Sequence, residues 1–227
     1  MEFNKVVAIA AVAGALAVGL AGEAGAASGT MFGDPAAAAT WWRHQQYDDC
    51  VLMATADVVG QMTGEEPSER AIIAVAQSTA STTHPGSIYV KPAGTEDPDS
   101  GMGTSMADIP TLLAYYGVDA KSTNADRAAR TGIPTGMAAL EQFLGGGHGV
   151  IVSVNAEMIW HKPVEETDSD GKPRSDHAVV VTGVDTANGI VHLNDSGTAK
   201  GRDEQIPIEL FAKAWATGHN FMVVTTD

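Results

Sequence analysis

A single cysteine, Cys50, stands at the head of a stretch in which Val51, Ala54, Val58, Val59 and Met62 recur at helical spacing. A thiol at a helix N-terminus faces unpaired backbone N–H groups, which favour the thiolate that attacks carbonyl carbon. Asp48 and Asp49 work against that through their negative charge, so a histidine partner is needed to keep the sulfur ionised. Among the seven histidines, His177 is singled out because it opens an apolar β-type run, Ala178 to Gly183, directly after the polar stretch Glu165 to Ser175. A second run, Ile190 to Leu193, follows the turn residues Asp185 to Gly189, so the spacing predicts a hairpin. Parity then selects the group that steadies the imidazole. If paired residue numbers add to an even value, Asp195 shares a face with His177; if the sum is odd, Asn194 does. Either side chain can accept from a ring N–H and fix the tautomer. For a developing oxyanion, the backbone N–H of Cys50 is one donor and the side-chain amide of Gln45 or Gln46 the second. These residue types in this order suit acyl transfer from an amide to a thiol.

The elements that must position these groups follow from the pattern. Helices are expected over Cys50 to Met62, stopped by Gly64, and over Glu69 to Gln77. Ser78 to Gly103 has no period and reads as a long loop of the kind that carries function. Ser105 or Asp108 can cap a helix through Leu112, Leu113, Tyr115 and Tyr116, ended by Gly117. A short helix Met137 to Leu144, a buried strand Val150 to Val154, the hairpin, a helix at Phe211 to Trp215 and a closing strand Phe221 to Thr226 complete the chain. Helices followed by antiparallel strands make an α+β fold.

Met1 to Ala27 reads as an export signal: Lys5, the apolar run Val6 to Leu20, then Ala24-Gly25-Ala26 as a cleavage site. The run of about 16 apolar residues is short for a bilayer that needs roughly 20, so residues 1–26 are expected to be removed and the protein secreted. Residues 27–40 are expected to be a flexible mature terminus, and 41–227 the catalytic domain. The whole chain carries a net charge of -15, which argues against nucleic acid or anionic membrane as partner, since both recruit basic patches. A peptide or protein substrate is expected. The remaining histidines lack metal-ligand spacing and there is no second cysteine, so neither metal nor cofactor is expected.

Three further runs carry a family resemblance. Trp42-Arg43-His44-Gln45-Gln46-Tyr47-Asp48-Asp49-Cys50 ahead of a helix, Ser175-Asp176-His177-Ala178-Val179-Val180-Val181-Thr182-Gly183, and Leu193-Asn194-Asp195-Ser196-Gly197 resemble the bacteriocin-processing type of papain-like cysteine peptidase, family thirty-nine, in its stand-alone secreted branch. The resemblance implies a papain-like fold in which N-terminal helices carry the nucleophile against an antiparallel sheet carrying the histidine. It also implies Cys50 as nucleophile, His177 as general base, Asp195 as its orienter and Gln45 as oxyanion donor. The chain departs from that pattern at Val51, where many members have glycine, at Ser196, where many have proline, and in the short spacing between Gln45 and Cys50. Two other readings compete: a cell-wall amidase of the NlpC type, with His192 as third residue, and a catalytically silent papain-like fold acting as a secreted binding protein.

Overall fold

The computed structural model describes residues 29–93 and 102–226, so the segment 1–26 expected as an export signal lies outside the described residues. In chain order the first half contains β1 (Met31–Gly33), α1 (Pro35–Ala38), α2 (Cys50–Thr63), α3 (Glu69–Ser78), α4 (Ile109–Tyr115), β2 (Ala120–Thr123), α5 (Ala128–Thr131) and α6 (Met137–Gly145). The second half adds β3 (Val150–Val154), α7 (Ala156–Ile159), β4 (His177–Asp185), β5 (Ile190–Asn194), β6 (Glu204–Pro207), α8 (Ile208–Ala216) and β7 (Met222–Thr225). Every strand pairing is antiparallel, in the order β2-β7-β3-β4-β5-β6, with β1 added beside β4. No helix among the described residues is long and apolar enough to cross a membrane.

Helix α2 is the centre of the α portion, and each residue from Cys50 to Gly60 is buried. One side, through Val51, Ala54 and Val58, packs on Ile151, Ala178, Val180 and Val223 of the sheet. The other, through Leu52 and Ala56, packs on Ile72, Ile73 and Ala76 of α3. The opposite sheet face, with Val150, Val152, Val179 and Val181, is covered by Leu140 and Leu144 of α6 and by Phe211 and Trp215 of α8. Coverage of both faces explains why β3 reads as a continuous apolar run rather than an alternating one. Gly64 ends α2 at φ 79°, a left-handed position that glycine adopts without strain.

Of the stretch 27–40 expected to be flexible, the described residues 31–38 form a strand and a helical turn. β3 ends its pairing at Val150 opposite Val181, which leaves the far end of β4 as an open edge. β1 fills that edge, with Phe32 opposite Val184 and Gly33 opposite Gly183. An unpaired run of buried backbone groups is costly, and this pairing removes it. Asp34 then caps α1 by accepting from the N–H of Ala37 at 3.0 Å, with Pro35 at the first helical position.

Within the described part of the loop 78–103, Asp108 accepts from Ser81 Oγ at 2.6 Å, from the Thr82 N–H at 2.8 Å and from Thr82 Oγ1 at 2.6 Å. That engagement leaves no side-chain cap from Asp108 for α4, and Ser105 caps the preceding 3-10 turn instead.

Candidate active site

Cys50 is the first residue of α2 and His177 the first of β4, so each side chain is set by the end of a regular element. His177 is buried, and its Nε2 lies 2.7 Å from Oδ1 of Asp195. Cys50 lines the same cavity as His177, and its charge and hydrogen bonding act to raise the ring's pKa. With Nε2 engaged by the carboxylate, Nδ1 is the atom left for the thiol. Burial opposes a charged ring, but the Cys50 sulfur and the Asp195 carboxylate outweigh it and hold His177 well above an ordinary histidine.

Asp195 is fully buried. Burial alone raises a carboxyl, yet this one is held low by three partners: the His177 bond and charge, Trp160 Nε1 at 2.7 Å, and the Gly197 N–H at 2.7 Å. Trp42 Nε1 donates to the Asp195 carbonyl at 2.6 Å, which fixes the backbone at the same point. The Trp160 ring lies 5.2 Å from the His177 ring, centroid to centroid.

A β-bulge decides between Asp195 and Asn194. At the turn end of the hairpin Gly183 faces His192 and Val184 faces Val191, an odd sum of residue numbers. At the site end Val181 faces Leu193 and Val180 faces Asn194, an even sum. The register changes between Val181 and Gly183, so Thr182 is the extra residue. Continued at the odd register, the hairpin would have set Asn194 on the His177 face; after the bulge, Asp195 occupies it. Asn194 instead donates to Ala38 O at 2.9 Å and to Asp57 Oδ2 at 2.8 Å, tying β5 to α1 and α2.

The two glutamines are also separated. Gln45 sits against the Asp195 turn: its N–H donates to Ser196 O at 3.0 Å, its Oε1 accepts from Ser196 Oγ at 2.7 Å, and its Nε2 donates to Tyr47 O at 2.9 Å. One N–H of the amide remains beyond the Tyr47 bond. Thus Ser196 anchors Gln45 through both its carbonyl and its hydroxyl. Gln46 is exposed, and its backbone N–H donates to Glu69 Oε1 at 2.6 Å. His192 holds Asp203 through Nδ1 at 2.7 Å and does not join His177.

Asp49 answers the charge problem beside the thiol. It occupies the N-cap position of α2 but makes no cap bond, and its buried oxygens have no N–H or O–H donor. Burial first, then the charge of Glu69 and a hydrogen bond shared with it, push Asp49 up to about 8. A carboxyl so shifted is neutral at pH 7 and lends little negative potential to the sulfur. A cavity of about 240 Å³ opens over Cys50 and His177, with Gly103, Thr104 and Met106 on one wall and Ser175 and Asp176 on another.

Trp160 and Gly197, which donate to Asp195, carry no signal of that role in the sequence. Trp160 ends a four-residue helix far from either catalytic run, and Gly197 reads as ordinary turn chemistry. A Cβ at Gly197 would stand 2.9 Å from His177 Cε1 and 2.8 Å from Trp160 Cζ2, so only glycine fits behind the imidazole.

A family model described as the Peptidase_C39 like family matches residues 50–221. Uncharacterized proteins of Mycobacterium tuberculosis (strain H37Rv) and Mycobacterium bovis are 73% identical over 222 residues, which cover 98% of this chain and 96% of theirs. A crystal structure described as a C39-like peptidase from Bacillus anthracis is similar with a TM-score of 0.55 at 17% identity, over 87% of this chain and 98% of that one. The shared architecture is the papain-like α+β arrangement.

Proposed function

Since the chain belongs to the Peptidase_C39-like family, we propose that it is a cysteine peptidase working through Cys50, His177 and Asp195. The observation that carries this reading is the meeting of Cys50 and His177 on one cavity, with the His177 ring 2.7 Å from the buried Asp195 carboxylate. His177 takes the thiol proton, and the thiolate attacks the carbonyl carbon of a peptide bond. The oxyanion is met by the Cys50 N–H at the start of α2 and by the second N–H of Gln45, whose amide is oriented by Ser196 and Tyr47. The imidazolium then protonates the departing amine, and water, activated by the neutral ring, hydrolyses the thioester. Asp195 keeps the ring in one tautomer throughout.

The carboxylate as third member, with His192 engaged elsewhere, favours this reading over the cell-wall amidase. The pattern of Lys5, the apolar run and Ala24-Gly25-Ala26 supports action outside the cytoplasm on peptide or protein substrates. Replacing Cys50 with alanine should abolish peptide turnover while the thermal melt stays in place. Full activity in that variant would overturn the mechanism, and release of muropeptides from purified peptidoglycan would favour the amidase.

A further inference from the structure

Glu204, on β6, faces Leu193 across the β5–β6 ladder, so Asp195 is its diagonal neighbour on the same face. Its Oε2 is buried and meets no N–H or O–H donor. Diagonally across the ladder stands the Asp195 carboxylate, whose charge and hydrogen bonding both act on Glu204. Two carboxylates cannot bond each other without a proton between them. Asp195 already accepts from His177, Trp160 and Gly197 and is kept ionised by them, so the proton belongs to Glu204.

We propose that Glu204 is a fourth, positioning residue of the site: its protonated carboxyl donates to Asp195 and steadies it, and its ionisation changes the charge that His177 experiences. This inference rests on the catalytic reading above. Burial, then the Asp195 charge and the shared bond, push Glu204 up to about 7, with the His177 charge acting in the opposite sense. Coupling between titrating groups is reciprocal, so the Glu204 anion must in turn favour imidazolium at His177. Of the other ionisable groups nearby, His192 of β5 holds Asp203, Arg202 lies over the Trp42 ring at 5.2 Å, and Glu209 and Lys213 of α8 are exposed.

The test is the titration of His177 followed by ¹⁵N NMR in the full mature protein, together with the pH profile of Cys50 alkylation. Glu204→Gln keeps a donor toward Asp195 and removes the ionisation. The wild-type His177 curve should bend around pH 7, and in the glutamine variant that bend should vanish and the imidazolium be lost about one pH unit lower. Glu204→Leu removes the donor as well, and should slow alkylation at pH 6 severalfold. A His177 curve in the glutamine variant that superimposes on wild type overturns the proposal. Failure of the catalytic reading would look different: His177→Ala would leave Cys50 alkylation unchanged, while the His177 titration still reports on Glu204.

Discussion

Gly197→Ala places one methyl group between the two rings that hold Asp195. The new Cβ would lie 2.9 Å from His177 Cε1, 3.1 Å from His177 Nε2 and 2.8 Å from Trp160 Cζ2. Carbon atoms rest at about 3.5–4.0 Å, so the imidazole or the indole must retreat by about 0.6 Å or more. Neither can do so freely, because both donate to the same carboxylate at 2.7 Å. Retreat of the imidazole stretches its bond to Asp195 and moves Nδ1 relative to the sulfur. A displacement approaching 1 Å in a reacting group lowers rate by about 10²-fold, and overpacking costs about 1–3 kcal/mol of stability. Gly197 is not among the positive-φ glycines, so the effect is steric and local. The expected result is a folded variant, melting a few degrees lower, whose turnover falls about 10²-fold and whose Cys50 alkylates more slowly at pH 6. Wild-type turnover and alkylation in Gly197→Ala would refute the claim that the His177 ring is fixed by this contact.

Stability should fall as pH rises from about 5 to about 7. Asp49 is raised to about 8 and Asp57 to about 7, both primarily by burial. In that window the unfolded chain has released these protons and the folded chain retains them, so Asp57 alone removes about 2 kcal/mol. Denaturant melts at pH 5 and pH 7 check this, and Asp57→Asn should flatten the slope; equal stability at both pH values would contradict it. Below about pH 4 the sign reverses, because Asp195 and Asp108 are held below the ordinary carboxyl value and their stabilisation is lost on protonation. Ser196→Ala releases Oε1 of Gln45 and should lower kcat about tenfold with little change in KM, while Gln45→Ala should lower kcat about 10²-fold or more. Unaltered kcat in Gln45→Ala would remove the glutamine from the oxyanion site. Asp108→Ala frees Ser81 and Thr82 and should raise KM through the loop beside the cleft, with kcat held, as steady-state kinetics would show.

The contrast between what the chain reveals and what it hides is physical. The positions of Cys50 and His177 at the heads of α2 and β4 were legible because each begins an element whose period is strong: the apolar stripe after Cys50 and the valine run after His177. Asp195 and Asn194 could not be separated, since adjacent residues lie on opposite faces and the bulge at Thr182 depends on pairing with β5, not on any local signal. β1 was missed for a similar reason. Met31–Gly33 has no propensity of note, and its strand exists because β4 outruns β3 and leaves an edge to fill. The concern that Asp49 would discourage a thiolate is eased by its burial beside Glu69, which raises its carboxyl, and the sequence carries no sign of that burial. Glu204 and Trp160 reach Asp195 across the sheet and from α7, contacts that no short motif records.

The central claim is that Cys50 and His177 act as a pair, and the rate of Cys50 alkylation by iodoacetamide as a function of pH tests it without knowledge of the substrate. At pH 6 an unassisted thiol is roughly 0.3% thiolate. The account predicts rapid alkylation at that pH in the wild-type protein and at least about a tenfold slower rate in His177→Ala. A wild-type rate at pH 6 no faster than that of free cysteine, with a His177→Ala profile that superimposes on it, would contradict the account.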